Sequence, residues 1–175
     1  MSLSTTVGPS LHPHAARLLI LHHSRTGGTA AMAEAACEAA ASESETRLLK
    51  AEEAGPDDLL AAQGYIFAAP ENLGSLSGPM KDLFDRCYYP LLDCIQGRAF
   101  ALMVCAGTDG QGAIRQMRRI ATGWRLREVA EPVLVLTGAQ TPGVILAPKR
   151  LSDAQLAPCR DLGAAMAAGL ALGIF

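Results

Sequence analysis

Four short apolar runs, none of them alternating with polar residues, constrain the fold of this 175-residue chain more than any other feature. A strand that is apolar on both faces belongs to a parallel sheet covered by helices on both sides. A fifth and more polar segment, Thr46–Lys50, has the flanking charge that is typical of a sheet edge. The four apolar runs are Leu18–Leu21, Tyr65–Ala69, Ala99–Cys105 and Val133–Leu136.

Segments of helical composition separate these strand candidates, so that strand and helix alternate along the chain. This alternation predicts right-handed crossovers and a doubly wound α/β domain. We expect a three-layer sandwich around a five-stranded parallel sheet of order 2-1-3-4-5, with the loops after strands one, three and four meeting at one crevice. The predicted helices are Thr29–Ala41, Asp57–Gln63, Pro79–Tyr88, Gly112–Thr122 and Ser152–Gly169.

Length and composition favour one domain in a reducing compartment. Residues 17–175 are long enough for a single core, whereas residues 1–16 are polar, contain Pro9 and Pro13, and predict a flexible N-terminal segment without the pattern of a signal peptide. Five cysteines without a C-x-x-C pair indicate reduced thiols. No apolar run reaches the ~18 residues of a membrane span. We therefore expect a soluble, cytoplasmic protein.

The charge is nearly balanced, with 15 Lys and Arg against 17 Asp and Glu and a net charge of -2. This balance argues against a nucleic-acid partner, and it lacks the strong single-signed field with which many electron carriers dock their partners. We expect no metal site, because no His or Cys cluster has ligand spacing. His22 and His23 lie near the crevice, and a neutral loop histidine is the favoured interpretation of each.

The loop after the first strand combines three hydroxyls and two glycines with the start of a helix. Unpaired backbone N–H groups and the positive end of the helix dipole favour a phosphate there, and glycine lets the backbone approach it closely. A plain turn in which Thr26 or Thr29 caps the helix is the alternative. The loop is neither G-x-x-x-x-G-K-[ST] nor G-x-G-x-x-G, which argues against an NTPase or a Rossmann dinucleotide site.

Three motifs in order resemble a known family. The loop Ser24–Thr29 looks like the FMN-phosphate loop of flavodoxins. The segment Ala69–Arg86 is similar to that of flavodoxin-like NAD(P)H:quinone oxidoreductases and FMN reductases, where a proline-led loop and a Ser-Gly-x-x-Lys-x-x-x-Asp helix lie beside the flavin. The segment Gly107–Gly112 resembles the family's glycine-rich loop after strand four. The resemblance implies a flavodoxin-like fold, FMN as cofactor and NAD(P)H as electron donor.

The resemblance also implies which residues hold the cofactor. The first loop would bind the phosphate, and the second and third loops would contact the isoalloxazine ring, largely through backbone groups. No residue is expected to act as an acid, base or nucleophile, since the flavin supplies the hydride chemistry. The expected cofactor-binding residues are Ser24, Arg25, Thr26, Gly27, Gly28, Thr29, Pro70, Glu71, Asn72, Leu73, Gly74, Ala106, Gly107, Thr108, Asp109, Gly110 and Gln111.

One departure from the family affects the functional prediction. Flavodoxins commonly flank the ring with Trp and Tyr, whereas these loops offer Asn72, Leu73 and Asp109. We therefore favour an FMN-dependent NAD(P)H oxidoreductase that reduces a quinone or similar small acceptor by ping-pong hydride transfer. A non-enzymatic flavodoxin-type carrier and a flavodoxin-like domain that has lost its cofactor remain alternatives.

Two further features leave alternatives open. Arginines after the third loop, Arg118 and Arg119 among them, could receive the 2′-phosphate of NADPH or form a solvated helix face. The apolar groups of 88–92 favour a homo-oligomer, although they could also pack beneath a neighbouring loop. Tyr88, Tyr89 or Trp124 could in addition approach the crevice, either from the same chain or from a second subunit.

Overall fold

The structure is a computed structural model that describes residues 17–175. The predicted N-terminal segment 1–16 lies outside the described residues. The seven strands are β1 Leu18–His22, β2 Thr46–Lys50, β3 Gly64–Asn72, β4 Ser75–Leu76, β5 Ala99–Ala106, β6 Arg127–Glu128 and β7 Val133–Leu136. The six helices are α1 Gly28–Ala41, α2 Pro56–Ala61, α3 Gly78–Leu91, α4 Gln111–Gly123, α5 Pro142–Leu146 and α6 Asp153–Ala171.

The strands form one twisted α/β sheet whose main order confirms the prediction. β2, β1, β3 and β5 are neighbours in that order, and β6 and β7 both pair in parallel with β5 as two pieces of one fifth strand. Pro132 lies in the gap between those two pieces, where its missing N–H cannot join the ladder. β4 adds a short antiparallel hairpin to β3.

Two apolar layers cover the sheet, as continuous apolar strands require. On one face Leu18 and Ile20 of β1 pack with α1 and α6, and on the other Leu19 and Leu21 lie in the cluster that contains α3 and α4. All eight residues of β5 are buried because this central strand has helices on both sides. Within the described part of the chain, no helix is long and apolar enough to cross a membrane.

The register brings the carboxyl ends of the strands to one edge of the sheet. His22 of β1 lies opposite Ala68 of β3, and Pro70 lies opposite Cys105 of β5. Ala106, at the end of β5, lies opposite Leu136 of β7. Four loops therefore meet at this edge, which is where ligands bind in open α/β sheets.

Candidate functional site

A cavity of about 370 Å³ opens at this edge of the sheet. Its volume lies in the range of small-molecule sites. Its walls come from the loops after β1, β3, β5 and β7, so the sheet register alone brings together segments that are distant in sequence. The lining residues are Ser24, Arg25, Thr26, Gly28, Thr29, Pro70, Glu71, Asn72, Leu73, Gly74, Cys105, Ala106, Gly107, Thr108, Thr137, Ala139, Ile145, Leu146 and Lys149.

The loop before α1 presents an open helix N-terminus to the cavity. Gly27 takes a left-handed conformation with φ 94° at the N-cap, and its N–H donates to the Ser24 hydroxyl oxygen at 3.1 Å. Among the described residues, no side chain caps the helix. The Thr29 side chain is 2% exposed, and its Oγ1 has no hydrogen-bond partner in the described part of the chain. A buried hydroxyl beside free helix N–H groups is the arrangement expected of an anion site.

The N-terminus of α4, which adjoins the same cavity, is occupied by a carboxylate of the chain itself. The backbone N–H groups of Gly110 and Gly112 donate to the two oxygens of Glu71, the second at 2.9 Å. The negative charge satisfies the helix dipole of α4. Of the two helix starts beside the cavity, only that of α1 therefore remains available to an external anion.

The β3–β4 hairpin forms one rim of the cavity through a two-residue turn. Leu73 has φ 54° and Gly74 has φ 70°, the two positive values that a type I′ turn requires. A leucine rarely adopts this conformation, and the side chain of Leu73 is fully exposed beside the cavity. Strained residues of this kind are characteristic of ligand-binding sites.

The structure brings most of the predicted site residues into the cavity wall. The exceptions are Gly27, Asp109, Gly110 and Gln111, none of which lines it. Gly27 and Gly110 have structural reasons to be glycine instead, because each is the left-handed N-cap of a helix. A direct ligand role for these residues therefore has no support from the cavity geometry.

The wall that follows β7 was not predicted from the sequence. Thr137, Ala139, Ile145, Leu146 and Lys149 line the cavity, and the short helix α5 was not predicted at all. A signal was present, since the rule that places ligands at strand carboxyl ends applies equally to the fifth strand. The apolar triplet 144–146 after Pro142 and Gly143 marks the segment.

Comparison with known proteins agrees with this geometry. A family model described as NADPH-dependent FMN reductase matches residues 56–141. A flavodoxin from Aquifex aeolicus (strain VF5) is 29% identical over 162 residues, which cover 89% of this chain and 88% of that protein. A WrbA-like flavodoxin from Agrobacterium tumefaciens aligns with a TM-score of 0.71 and 20% identity over 89% of this chain and 97% of its own. The chain therefore resembles flavodoxin-like proteins in sequence and has their fold.

The resemblance extends to NADPH-dependent FMN reductases, as the sequence motifs predicted. The matched stretch 56–141 contains both the Pro70 loop and the Gly107 loop. A flavodoxin from the domain Archaea has the same fold, with a TM-score of 0.70 and 18% identity over 87% of this chain and 97% of that one.

The larger apolar side chains in the wall of this cavity are aliphatic. No aromatic residue of the described part lines it, and the side chains of Leu73, Ile145 and Leu146 lie at its walls. Tyr88, Tyr89 and Trp124 of the chain itself do not line the cavity, and an approach from a second subunit stays a prediction. Trp124 is instead buried in the core and donates its indole N–H to the Tyr88 carbonyl.

Burial shifts the pKa of three titratable groups in or near the site. Burial raises the pKa of the Cys105 thiol, so this lining side chain stays protonated. Burial also lowers the pKa of His22 and of His23, neither of which lines the cavity. Arg118 is held by a bidentate ion pair with Glu128, at 2.6 and 2.7 Å, which removes its guanidinium as a free phosphate ligand.

Proposed function

We propose that the chain binds FMN in this cavity and acts as an NAD(P)H-dependent oxidoreductase that reduces a quinone or a similar small acceptor. The observation that carries the proposal is the open N-terminus of α1 with the buried, unpartnered Thr29 hydroxyl. The FMN phosphate satisfies both, because it is an anion that accepts several hydrogen bonds. FMN when bound supplies hydride acceptance and donation, the chemistry that the side chains themselves lack.

The role of the chain's own residues is to bind the flavin and to orient it. The loop Ser24–Thr29 holds the phosphate through backbone N–H groups and hydroxyls. Backbone groups of 70–74 and 106–108 would hold the polar edge of the ring, and the aliphatic side chains at the walls would cover part of its faces. Donor and acceptor use the open mouth of the cavity in turn, which predicts ping-pong kinetics.

Comparing FMN with riboflavin tests the phosphate assignment. We expect FMN to bind more tightly than riboflavin, and Thr29→Val to reduce that preference about tenfold, since one hydrogen bond to a charged group is lost. Riboflavin affinity should not change, and folding should survive because valine has the shape of threonine. Thr122→Val, which removes an exposed hydroxyl in α4 away from the cavity, is the control and should leave the preference intact. Equal binding of the two flavins by the wild type would overturn the assignment.

Steady-state kinetics test the enzymatic part. With FMN added, we expect NADPH or NADH oxidation in the presence of a quinone, with parallel double-reciprocal lines as the quinone concentration varies. Intersecting lines would exclude the ping-pong order.

A flavodoxin-type electron carrier is the second candidate, and the 29% identical flavodoxin relative favours it. The near-neutral charge and the aliphatic cavity walls favour the reductase. The same assay separates the two, because a carrier binds FMN without turning over NAD(P)H. A chain that binds no flavin would instead support a domain that has lost its cofactor.

A further inference from the structure

The α5 segment forms a wall of the cavity although little of it is buried. Val144, Ile145 and Leu146 are 54%, 47% and 56% exposed, and every residue of 140–148 is exposed. A helix of five residues is not stable alone in water. Some contact outside the helix must therefore hold the segment where Ile145 and Leu146 line the cavity.

Lys149 supplies that contact from both its backbone and its side chain. Its N–H donates to the Thr26 carbonyl at 2.7 Å, which attaches residue 149 to the loop before α1. Its ammonium donates to the carbonyls of Val144, Ile145 and Ala147, at 2.7, 2.9 and 2.6 Å. One residue thus joins the phosphate-loop backbone to the last turn of α5.

The aliphatic part of Lys149 has a defined place as well. It lies over Gly28, where an added Cβ would come within 3.4 Å of the Lys149 Cβ and 3.6 Å of its Cγ. The absence of a side chain at Gly28 therefore leaves room for the lysine stem, which helps to direct the ammonium towards α5.

We propose that Lys149 is a positioning residue that holds α5 as a wall of the flavin cavity, and that it acts on the ring rather than on the phosphate. An ammonium has three donors, and three carbonyls already accept from this one. These carbonyls lie at the C-terminal end of a helix, where a positive charge is favourable. The inference rests on the proposed function only in naming a flavin as the ligand.

Hydrogen exchange of the ligand-free protein tests the positioning role by itself. Ile145 and Ala147 donate their N–H groups to Thr141 and Gly143, so their amides report the helix directly. In Lys149→Met, which keeps the stem but loses the donors, we expect these amides to exchange about tenfold faster than in the wild type. Lys50→Met, at an exposed lysine on the edge strand β2, is the matched control and should leave exchange at α5 unchanged. Unchanged exchange in Lys149→Met would overturn the proposal.

Flavin binding separates a positioning role from direct phosphate binding. Lys149→Met should weaken FMN and riboflavin equally, by about tenfold, because both lose the same wall. A loss confined to FMN would show that Lys149 binds the phosphate, and would overturn the proposal. If the wild type bound neither flavin, the proposed function would fail while the exchange experiment still decided the role of Lys149.

Two further variants distinguish a specific effect of Lys149 from a general loss of structure. Lys149→Arg keeps the charge and part of the donor set, so it should recover part of the exchange protection and of the flavin affinity. In an Ile145→Ala, Leu146→Ala background, which lacks the wall, adding Lys149→Met should change riboflavin affinity little. If the losses of riboflavin affinity caused by the wall substitutions and by Lys149→Met added fully, Lys149 would not act through α5.

Discussion

Gly28 shows how one residue can be required for reasons that its own neighbourhood in sequence does not reveal. It was expected to let the backbone approach a phosphate. In the structure a Cβ at Gly28 would lie 2.7 Å from the Sγ of Cys105, on β5, and 3.4 Å from the Cβ of Lys149. Both contacts come from distant parts of the chain, which only the sheet register brings together.

Gly28→Ala should therefore destabilise the fold. Removing a glycine gains about 0.4–1 kcal/mol from a less flexible unfolded chain. Overpacking against the Cys105 sulfur costs about 1–3 kcal/mol, and this larger effect decides the sign. We expect a net loss of about 1 kcal/mol in the free energy of unfolding, measured by urea denaturation.

Gly78→Ala is the matched control, since Gly78 is also the first residue of a helix and an added Cβ there meets nothing within 4 Å. It should leave stability unchanged or slightly raised. Adding Cys105→Ala should restore much of what Gly28→Ala loses. A Gly28→Ala protein as stable as the wild type would show that the sulfur moves aside freely.

His22 makes stability depend on pH. Burial lowers its pKa from the usual 6.5, and its Nδ1 has no partner among the described residues. The unfolded chain then binds the proton more readily, so His22 contributes stability above pH 6.5 that is lost as the pH falls through the lowered pKa. The charges that act on it are those of Glu34, Lys50, Glu52 and His23.

We expect the free energy of unfolding to fall less steeply between pH 7 and pH 5 in His22→Leu than in the wild type. Urea denaturation at each pH measures the slope. Some pH dependence of stability should remain in the variant, because burial also lowers the pKa of His23. Identical slopes in the two proteins would exclude a role for His22.

Among the elements, the first turn of α4 depends on a side chain from strand β3. Glu71 extends from β3 and accepts hydrogen bonds from two N–H groups at the start of α4. Glu71→Gln keeps the size but removes the charge and one acceptor. We expect a loss of about 1–2 kcal/mol in the free energy of unfolding.

The same substitution should weaken FMN binding, because the loop 106–110 between β5 and α4 loses its anchor. Glu53→Gln removes an exposed carboxylate that pairs only with Lys50, and serves as the control for both measurements. Stability and flavin affinity that match the wild type in Glu71→Gln would contradict the anchoring role.

The sequence predicted the strands and helices that carry the longer apolar segments and missed the short elements β4, β6 and α5. The predicted strands and long helices contribute side chains to the two core clusters, and those side chains produce the apolar pattern in the sequence. α5 has no buried residue, and its position depends on the hydrogen bonds of Lys149. Such long-range polar contacts leave no periodic signal.

For the whole molecule, sheet order and crevice position followed from strand character and topology rules. The wall after the fifth strand could not be predicted in this way, and neither could the hydrogen bonds of Glu71 to the start of α4, because both depend on side-chain positions across the cavity.

The state of assembly stays a prediction. Only part of the 88–92 cluster is packed: Tyr88 stacks on Trp124 with ring centroids 5.7 Å apart and Leu91 is buried, while Tyr89 is 80% exposed.

We expect a homo-oligomer in sedimentation velocity, weakened by Tyr89→Ser because this substitution removes the large exposed ring at the end of α3. Leu60→Ser, on the outer surface of α2 at 39% exposure, should leave the sedimentation coefficient unchanged. A wild type that sediments as a monomer at every concentration would show the prediction to be wrong.

The break in the fifth strand has a consequence for how copies can meet. A long, flat, apolar edge would template pairing with another chain and lead to aggregation. Here one edge is shortened to four residues by the gap that contains Glu131 and Pro132, and the other carries Arg47 and Lys50. The chain thereby keeps its most apolar segments in the interior of the sheet. Association of copies through side chains on the helices and loops, which can be both specific and reversible, is therefore favoured over pairing of sheet edges.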